Sequence, residues 1–361
     1  MFKQSLTKPD GRYLLLYGTS PIAHVGEVRS PSVVPFAPNA HLRWHPLRGE
    51  WVAYATHRQN RTFLPPPEYN PLARTTDAAH PTELPSGQYD VAVFQNLFPA
   101  LTGAAHDPPD LNVPTRPARG ECEVVVFTDD VQASLGALSL DRIVLILDVW
   151  ADRYDTLGAR ADVDYVFPFE NRGVEVGVTL HHPHGQIYAY PFIPPVPARE
   201  LEQQRTYLEK RGRGLLEDLV AAEEAHRSRV LYAGPHVVAF VPVCARYPYE
   251  VWIAPRRAAA SVSELSTAER RDLAVALKTV LLTFDHLWAQ PFPYIMAMHQ
   301  APTDGLPHPE AHVHLEFYPA YRMRDRLKYL AGSEIGAGVF TADTDPDERA
   351  AELRAALVPG A

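Results

Sequence analysis

The chain contains the stretch His182-Pro183-His184-Gly185-Gln186-Ile187-Tyr188, and a similar stretch, His312-Val313-His314-Leu315-Glu316-Phe317-Tyr318, lies in its second half. Each stretch has two histidines one residue apart, followed by apolar and aromatic residues. Each also follows an apolar segment typical of a β-strand, Tyr165-Val166-Phe167 or Tyr294-Ile295-Met296. The recurrence of this order predicts an internal duplication.

A helix is predicted before each of these strands. Ser139 precedes a run of apolar residues with helical spacing and is a favourable N-cap residue. Ser266-Thr267-Ala268-Glu269 is a capping box at the start of the second helix. Strand follows strand elsewhere, with few strand–helix–strand crossovers. The pattern therefore predicts an α+β fold, with a largely antiparallel sheet, flanking helices and two duplicated halves.

We place the two halves at residues 1–190 and 191–361. The proline-rich residues 191–197 and a polar helical stretch at residues 199–227 would connect them. The alternative of a doubly wound parallel sheet lacks its usual motifs, because the sequence has neither GxGxxG nor GxxxxGK[ST]. We accordingly expect no organic cofactor.

Composition narrows the classes of function. The 361 residues carry a formal net charge of −9, which argues against a general nucleic-acid binder. No run approaches the roughly 18 apolar residues of a membrane span, so no membrane contact is expected. Cys122 and Cys244 are far apart and without metal-type spacing. We expect reduced thiols and a cytoplasmic protein.

The residues around His184 have the properties that nucleophilic catalysis on phosphorus requires. A single His-x-His is more often a hydrogen-bonded core feature, but Pro183 fixes the backbone between the two rings and Gln186 supplies amide donors. In a strand, residues two apart face the same side, so His182 and His184 would project together, as would His312 and His314. Gly185 would let a ligand approach the main chain. A neutral imidazole is a good nucleophile near pH 7.

The same motif resembles the signature of galactose-1-phosphate uridylyltransferases, the transferase branch of the histidine-triad superfamily. Further similarity lies at Arg43-Trp44-His45-Pro46, Phe94-Gln95-Asn96-Leu97-Phe98-Pro99 and Phe169-Glu170-Asn171. The resemblance implies that His184 is the nucleophile, Gln186 a phosphate donor and His182 a supporting residue. It also implies substrate contacts by four residues, which are Arg58, Arg61, Asn96 and Asn171.

The resemblance implies a reaction and a quaternary structure as well. UMP would pass from UDP-glucose to galactose-1-phosphate through a uridylyl-histidine, giving UDP-galactose and glucose-1-phosphate. Residues 328–334 resemble a stretch that contacts the hexose from the partner subunit, which implies a homodimer with shared active sites and contacts from Lys328, Tyr329 and Glu334. Alternatives are an ADP-sugar phosphorylase on the same fold, a non-catalytic nucleotide- or metal-binding protein and a metal-dependent hydrolase.

Two metal sites of the resembling family have different counterparts in this sequence. The zinc site near the nucleophile lacks its cysteines, since Pro67-Glu68-Tyr69-Asn70-Pro71 stands there, and Asp130 replaces a histidine. We expect no zinc at that place. Glu200, His299, His312 and His314 match a structural site, which predicts one zinc or iron ion, the alternative being a metal-free polar cluster. Ser333 and Phe340 depart from residues that some members have near the sugar.

Overall fold

The structure, a computed structural model, describes residues 1–32, 34–60, 65 and 69–360. The helices are α1 (Leu140–Gly158), α2 (Pro195–Arg211), α3 (Leu215–His226), α4 (Thr267–Leu287) and α5 (Pro346–Ala355). The strands are β1 (Phe2–Thr7), β2 (Tyr13–Gly18), β3 (His41–His45), β4 (Glu50–Tyr54), β5 (Val91–Gln95), β6 (Thr115–Pro117), β7 (Glu121–Val126), β8 (Tyr165–Arg172), β9 (His184–Tyr190), β10 (Val230–Ala233), β11 (Val237–Phe240), β12 (Val251–Pro255), β13 (Tyr294–His299), β14 (His314–Pro319), β15 (Tyr321–Met323) and β16 (Arg326–Leu327).

One 11-stranded sheet runs through both halves of the chain. Its order is β1-β2-β5-β7-β9-β8-β13-β14-β12-β11-β10, and all its neighbouring strands are antiparallel. The predicted antiparallel α+β fold is therefore confirmed. The division of the chain at residue 190 stays a prediction, since the sheet is continuous across the two halves.

The duplication is visible in the topology of the sheet. In the first half the chain order β5, β7, α1, β8, β9 gives the spatial order β5-β7-β9-β8. In the second half the chain order β11, β12, α4, β13, β14 gives β11-β12-β14-β13. Strands β8 and β13 occupy corresponding places and pair with each other, with Ile295 opposite Asn171. The two copies thus meet at the centre of the sheet.

The two long helices form the core on one face of the sheet. Ser139 caps α1, its hydroxyl accepting from the Arg142 amide at 3.2 Å. Ser266 caps α4 through the predicted capping box, its hydroxyl accepting from the Glu269 amide at 3.3 Å while the Glu269 carboxylate accepts from the Ser266 amide at 2.8 Å. Both helices bury their apolar sides in one cluster with the sheet, including Trp150. Both predicted helix starts are confirmed.

The predicted helical stretch at residues 199–227 is wrong in one respect, because it consists of two helices. α2 ends at Arg211 and is followed by Gly212 with a φ of 66°, a left-handed conformation that stops a helix. α3 then begins at Leu215 after Gly214.

The other face of the sheet is covered by a smaller layer. The three-stranded sheet β4-β3-β6 packs there through a cluster that includes Leu42, Leu101 and Cys122. Residues 69–90 cover the neighbouring part, with Leu72 and Leu84 buried against β2, β5 and β7. A cavity remains between this layer and the sheet. Among the helices of the described residues, none combines the length and apolar character needed to cross a membrane.

We predict that Ser266→Ala lowers the free energy of unfolding by about 1 kcal/mol, because the Glu269 amide loses its cap. Thr267→Ala is the matched control, since Thr267 is exposed and its hydroxyl is not part of the capping box. That variant should stay within about 0.5 kcal/mol of the parent protein. Urea unfolding of both variants measures the difference, and equal values would contradict the role of the cap.

Candidate active site

Strand β9 supplies one wall of the cavity through its alternating side chains. His184, Gln186 and Tyr188 are half-buried, whereas Gly185, Ile187 and Ala189 between them are fully buried. The half-buried set lines a cavity of about 250 Å³. The period of two along a strand thus places the candidate nucleophile and the candidate amide donor on the same surface.

The ring of His184 is held in one orientation by a main-chain carbonyl. Its Nδ1 lies 2.7 Å from the carbonyl oxygen of His182, which can only accept a hydrogen bond. Nδ1 therefore carries the proton in the neutral ring, and Nε2 carries the free lone pair. Burial lowers the pKa of His184, although the bond to the His182 carbonyl opposes this effect. The neutral, nucleophilic form is favoured.

His182 lies outside the strand, contrary to the prediction that it would project together with His184. β9 begins only at His184, so the alternation of a strand does not extend to His182. Its Nε2 lies 2.7 Å from the carbonyl oxygen of Thr128, and its Nδ1 lies 2.9 Å from the amide nitrogen of Asn70. Burial lowers the pKa of His182. Both ring nitrogens of His182 are therefore engaged in hydrogen bonds.

Gly185 serves packing rather than the approach of a ligand, which corrects our interpretation of the motif. A Cβ atom at this position would lie 2.7 Å from Cζ of Phe127 and 3.0 Å from the carbonyl oxygen of Phe169. Phe127 belongs to the core beneath the sheet, where it packs edge-on against Trp150. Only glycine lets β9 lie this close to both groups.

The remaining polar groups of the cavity come from several elements. Arg58 donates from one guanidinium nitrogen to the carbonyl oxygen of Phe98 at 2.7 Å. The Asn96 side-chain oxygen accepts from the Phe98 amide at 2.8 Å, which leaves its NH₂ group for other partners. Asn171, at the end of β8, lines the cavity as well. The structure thus brings together the predicted residues His184, Gln186, Arg58, Asn96 and Asn171. Arg61 lies outside the described residues.

Sequence reasoning missed several residues of this site. Tyr188 could have been found, since it lies two residues beyond Gln186 on the same strand. Asn70 was noted only as part of a segment without cysteines, and nothing in the sequence indicates that it contacts His182. The apolar wall comes from separate segments and includes Leu72, Phe94, Val124, Phe169 and Leu180.

The predicted hexose contacts do not join the cavity within one chain. Lys328 donates to the carbonyl oxygen of Thr341 at 2.7 Å. Glu334 accepts from the amides of Ala331 and Thr341, each at 3.1 Å. Tyr329 is 76% exposed. These residues lie together away from the cavity, although the Lys328 side chain is only 3% exposed, and none of the three lines the cavity that contains His184.

A second cluster lies in the other half of the protein. Glu200 from α2, His299 from β13 and His314 from β14 place candidate ligand atoms within 4.8 Å of one another. His312, predicted as a fourth ligand, is not part of this group. Its Nε2 lies 2.8 Å from the carbonyl oxygen of Pro255, and that oxygen needs the proton on this nitrogen.

Glu316 is a further ligand candidate beside this cluster. It follows His314 by two residues on β14, is buried, and lies 3.4 Å from Nε2 of His314. Burial alone lowers the pKa of His314, but the hydrogen bond and charge of Glu316 outweigh it and raise that pKa to about 9. Two imidazoles with carboxylates are donors suited to zinc or iron.

The two His-x-His motifs have the same main-chain geometry. In each motif, Nε2 of the first histidine donates to a main-chain carbonyl at or just beyond the end of the neighbouring strand, Thr128 after β7 or Pro255 in β12. Nδ1 of the second histidine donates to the carbonyl of the first histidine. A duplicated antiparallel sheet with this motif at corresponding strand starts defines the histidine-triad-like class of fold.

Comparison with known proteins gives the family. Residues 35–194 match the family described as "Galactose-1-phosphate uridyl transferase, N-terminal domain", and residues 200–355 match its C-terminal domain. A galactose-1-phosphate uridylyltransferase of Thermotoga maritima is 38% identical, covering 87% of this chain and 97% of its own length. One of Streptomyces lividans is 34% identical over 98% of both chains. A solved structure described as a uridylyltransferase superposes with a TM-score of 0.78 at 34% identity, covering 88% of this chain and 98% of its own.

The chain belongs to the galactose-1-phosphate uridylyltransferase family and is an enzyme, a transferase. A solved ADP-glucose phosphorylase of Arabidopsis thaliana, described with bound ADP-glucose, is 24% identical with a TM-score of 0.64, covering 88% of this chain and 98% of its own. At that distance the likeness shows the shared fold alone.

We predict that His184 titrates below the ordinary histidine pKa of about 6.5. The sign follows from burial, which disfavours the charged imidazolium, so the ring stays neutral until the pH falls further than for an exposed histidine. NMR titration of the ring, assigned with His184→Ala, measures the midpoint. A midpoint above 6.5 would contradict the described environment.

Proposed function

We propose that the enzyme transfers UMP from UDP-glucose to galactose-1-phosphate by way of a uridylyl group on His184. The observation that carries this proposal is the 2.7 Å contact between Nδ1 of His184 and the His182 carbonyl. It leaves Nε2 with its lone pair on a residue that lines the cavity. The family membership and the names of the Thermotoga and Streptomyces relatives support uridylyl transfer.

The first step forms a nitrogen–phosphorus bond. Nε2 of His184 attacks the α-phosphorus of UDP-glucose, the bond from that phosphorus to the bridging oxygen breaks, and glucose-1-phosphate leaves with the electron pair. In the second step a phosphate oxygen of galactose-1-phosphate attacks the same phosphorus. The nitrogen–phosphorus bond then breaks and its electron pair returns to Nε2.

Donors around the cavity would stabilise the negative charge that develops on the phosphoryl oxygens. The Gln186 side chain lies two residues from His184 on the same face of β9, so its NH₂ group can reach an oxygen of the group attached to Nε2. Arg58 supplies a permanent positive charge at the cavity wall. The NH₂ group of Asn96, together with Asn171, would bind the nucleotide, and Arg61 is proposed as a further phosphate contact.

The hexose contacts are proposed to come from a partner subunit. Lys328, Tyr329 and Glu334 lie outside the cavity within one chain, while Tyr329 is largely exposed and free to enter another subunit's site. A homodimer would therefore complete two active sites by exchange of this segment. The proposed substrates are UDP-glucose, UDP-galactose and the hexose-1-phosphates.

We also propose one structural metal ion, zinc or iron, held by Glu200, His299 and His314 with Glu316 as the fourth ligand. The three first-named groups already converge. Neither Glu316 nor His312 is among the three converging groups, and Glu316 is proposed because its carboxylate lies 3.4 Å from Nε2 of His314. An ion here would link α2 to β13 and β14, away from the cavity that contains His184.

We predict that the enzyme, given UDP-glucose and labelled glucose-1-phosphate alone, exchanges label into UDP-glucose. A covalent intermediate makes the first step independent of galactose-1-phosphate. His184→Ala should abolish exchange, and Gln186→Ala should slow it on the order of 10²-fold because one oxyanion donor is lost.

A strict requirement for galactose-1-phosphate in this exchange would mean direct transfer and would refute the role of His184. Exchange of labelled glucose-1-phosphate into ADP-glucose but not into UDP-glucose, with labelled phosphate entering ADP, would instead support an ADP-sugar phosphorylase.

For the metal site, we predict that Glu316→Gln loses bound metal on dialysis against a mild chelator, because a charged ligand becomes neutral. His312→Gln is the matched control, as its amide can still donate to Pro255. This variant should keep about one ion per chain, as one closed structural site implies. Elemental analysis measures the metal content per chain of both variants. Loss of metal from His312→Gln but not from Glu316→Gln would identify His312 as the ligand instead.

A further inference from the structure

Both polar atoms of the Asn70 side-chain amide are hydrogen-bonded. Its oxygen accepts a hydrogen bond from the Leu72 amide at 3.0 Å. Its nitrogen lies 2.9 Å from Nδ1 of His182. Since the Leu72 amide can only donate, the oxygen must face it, and the NH₂ group must face His182. Asn70 is therefore a donor to His182.

This donor is compatible with only one protonation state of His182. A nitrogen that accepts from an NH₂ group carries no proton, so Nδ1 of His182 is bare and Nε2 bears the hydrogen. The Thr128 carbonyl, 2.7 Å from Nε2, requires that same tautomer. The two contacts agree, and together they fix a neutral ring in one orientation.

We propose that Asn70 is a positioning residue for the nucleophile, acting through His182. This inference rests on the proposed function of His184. The His182 carbonyl is the acceptor that holds Nδ1 of His184, so fixing the ring and backbone of His182 fixes the direction of the attacking lone pair. Asn70 itself acts through His182 and has no direct part in the chemistry.

The second half of the protein provides an internal comparison. His312 makes the same bond through Nε2 and offers the same carbonyl to His314. However, Nδ1 of His312 is buried and has no hydrogen-bond partner among the described residues. The amide donor is therefore not needed to form the motif. It is found in the half where the second histidine lines the proposed nucleotide cavity.

Asn70 is itself part of an anchored segment. The Pro71 carbonyl accepts from the Glu83 amide at 2.9 Å, and the Glu83 side chain is bonded to the buried Lys8 and Arg12. Pro71 and Leu72 line the cavity. The segment that forms part of the wall thus also carries the donor to His182, and a buried ionic cluster holds it in place.

The neutrality of asparagine is part of the proposed role. The charged groups nearest His182 in its electrostatic environment are Asp129 and Asp130, which raise its pKa, while burial lowers it more strongly. A carboxylate at position 70 would add to the two aspartates and favour the imidazolium. That cation would lie beside His184 and would weaken it as a nucleophile. It would withdraw electron density from the His184 ring, and it would disfavour the positive charge that develops on that ring during attack.

The test compares Asn70→Ala and the isosteric Asn70→Asp with Asp77→Ala, an exposed control in the same segment. The label exchange between UDP-glucose and glucose-1-phosphate gives kcat and KM, and NMR of ¹⁵N-labelled histidine gives the His182 tautomer. We expect Asn70→Ala to lower kcat by about 10- to 100-fold, as loss of an orienting hydrogen bond does elsewhere. KM should change by no more than about twofold, since uniform binding is preserved.

Asn70→Asp should show a loss that is largest at low pH, where the His182 imidazolium adds to the missing donor. As the pH rises and His182 becomes neutral, the loss should fall to that of Asn70→Ala. Asp77→Ala should match the parent enzyme. A higher KM with unchanged kcat in Asn70→Ala would mean that Asn70 affects only substrate binding at the cavity wall, and this would overturn the proposal. So would an unchanged His182 spectrum in that variant.

The NMR measurement needs no substrate, which separates this inference from the proposed function. If the parent enzyme showed no exchange, the role of His184 would fail. The ¹⁵N shift of His182 Nδ1 in the parent and in Asn70→Ala would still decide whether Asn70 donates a hydrogen bond to it.

Discussion

The antiparallel pairing of β8 with β13 is the interaction on which the rest of the structure depends. It joins two copies of one strand order into a single sheet, with residues 294–297 opposite residues 169–172. The pairing is reinforced by a buried bond from the Tyr294 hydroxyl to the Glu170 carboxylate at 2.8 Å. Burial raises the pKa of Glu170 to about 7. Because β8 carries Asn171 and β13 carries His299, the same pairing sets the separation of the cavity from the candidate metal cluster.

On this frame, equivalent positions have acquired different chemistry. Both halves hold a His-x-His with the same carbonyl contacts, so the main chain alone does not distinguish them. The difference lies two residues further along each strand, where one half has Gln186 and the other Glu316. A neutral amide donor suits an anionic phosphoryl group, whereas a buried carboxylate suits a cation. This one residue per strand thus distinguishes the proposed catalytic half from the proposed metal-binding half.

The wrong predictions applied rules for strands and for single residues to positions where long-range contacts decide the structure. The alternation of a strand was applied to His182 and His312, but both precede the first paired residue of their strands. Gly185 was interpreted as a site of ligand approach because glycine lacks a side chain. Position 185 requires glycine because Phe127, a residue far away in sequence, packs against it. His312 was assigned as a ligand by resemblance to the family's metal site; it is not among the three groups that converge, and the assignment stays a prediction.

The sequence by itself determined the helix starts at Ser139 and Ser266, the antiparallel α+β class, the duplication and the pairing of His184 with Gln186 on one face. All of these features depend on neighbouring residues and on the residue periods of helices and strands, which are visible in the sequence. Tertiary structure decided which groups meet across long separations, such as Asn70 with His182 and Glu200 with His299. Hydrogen-bond partners, ring tautomers and burial are properties of that packing, so no local pattern in the sequence specifies them.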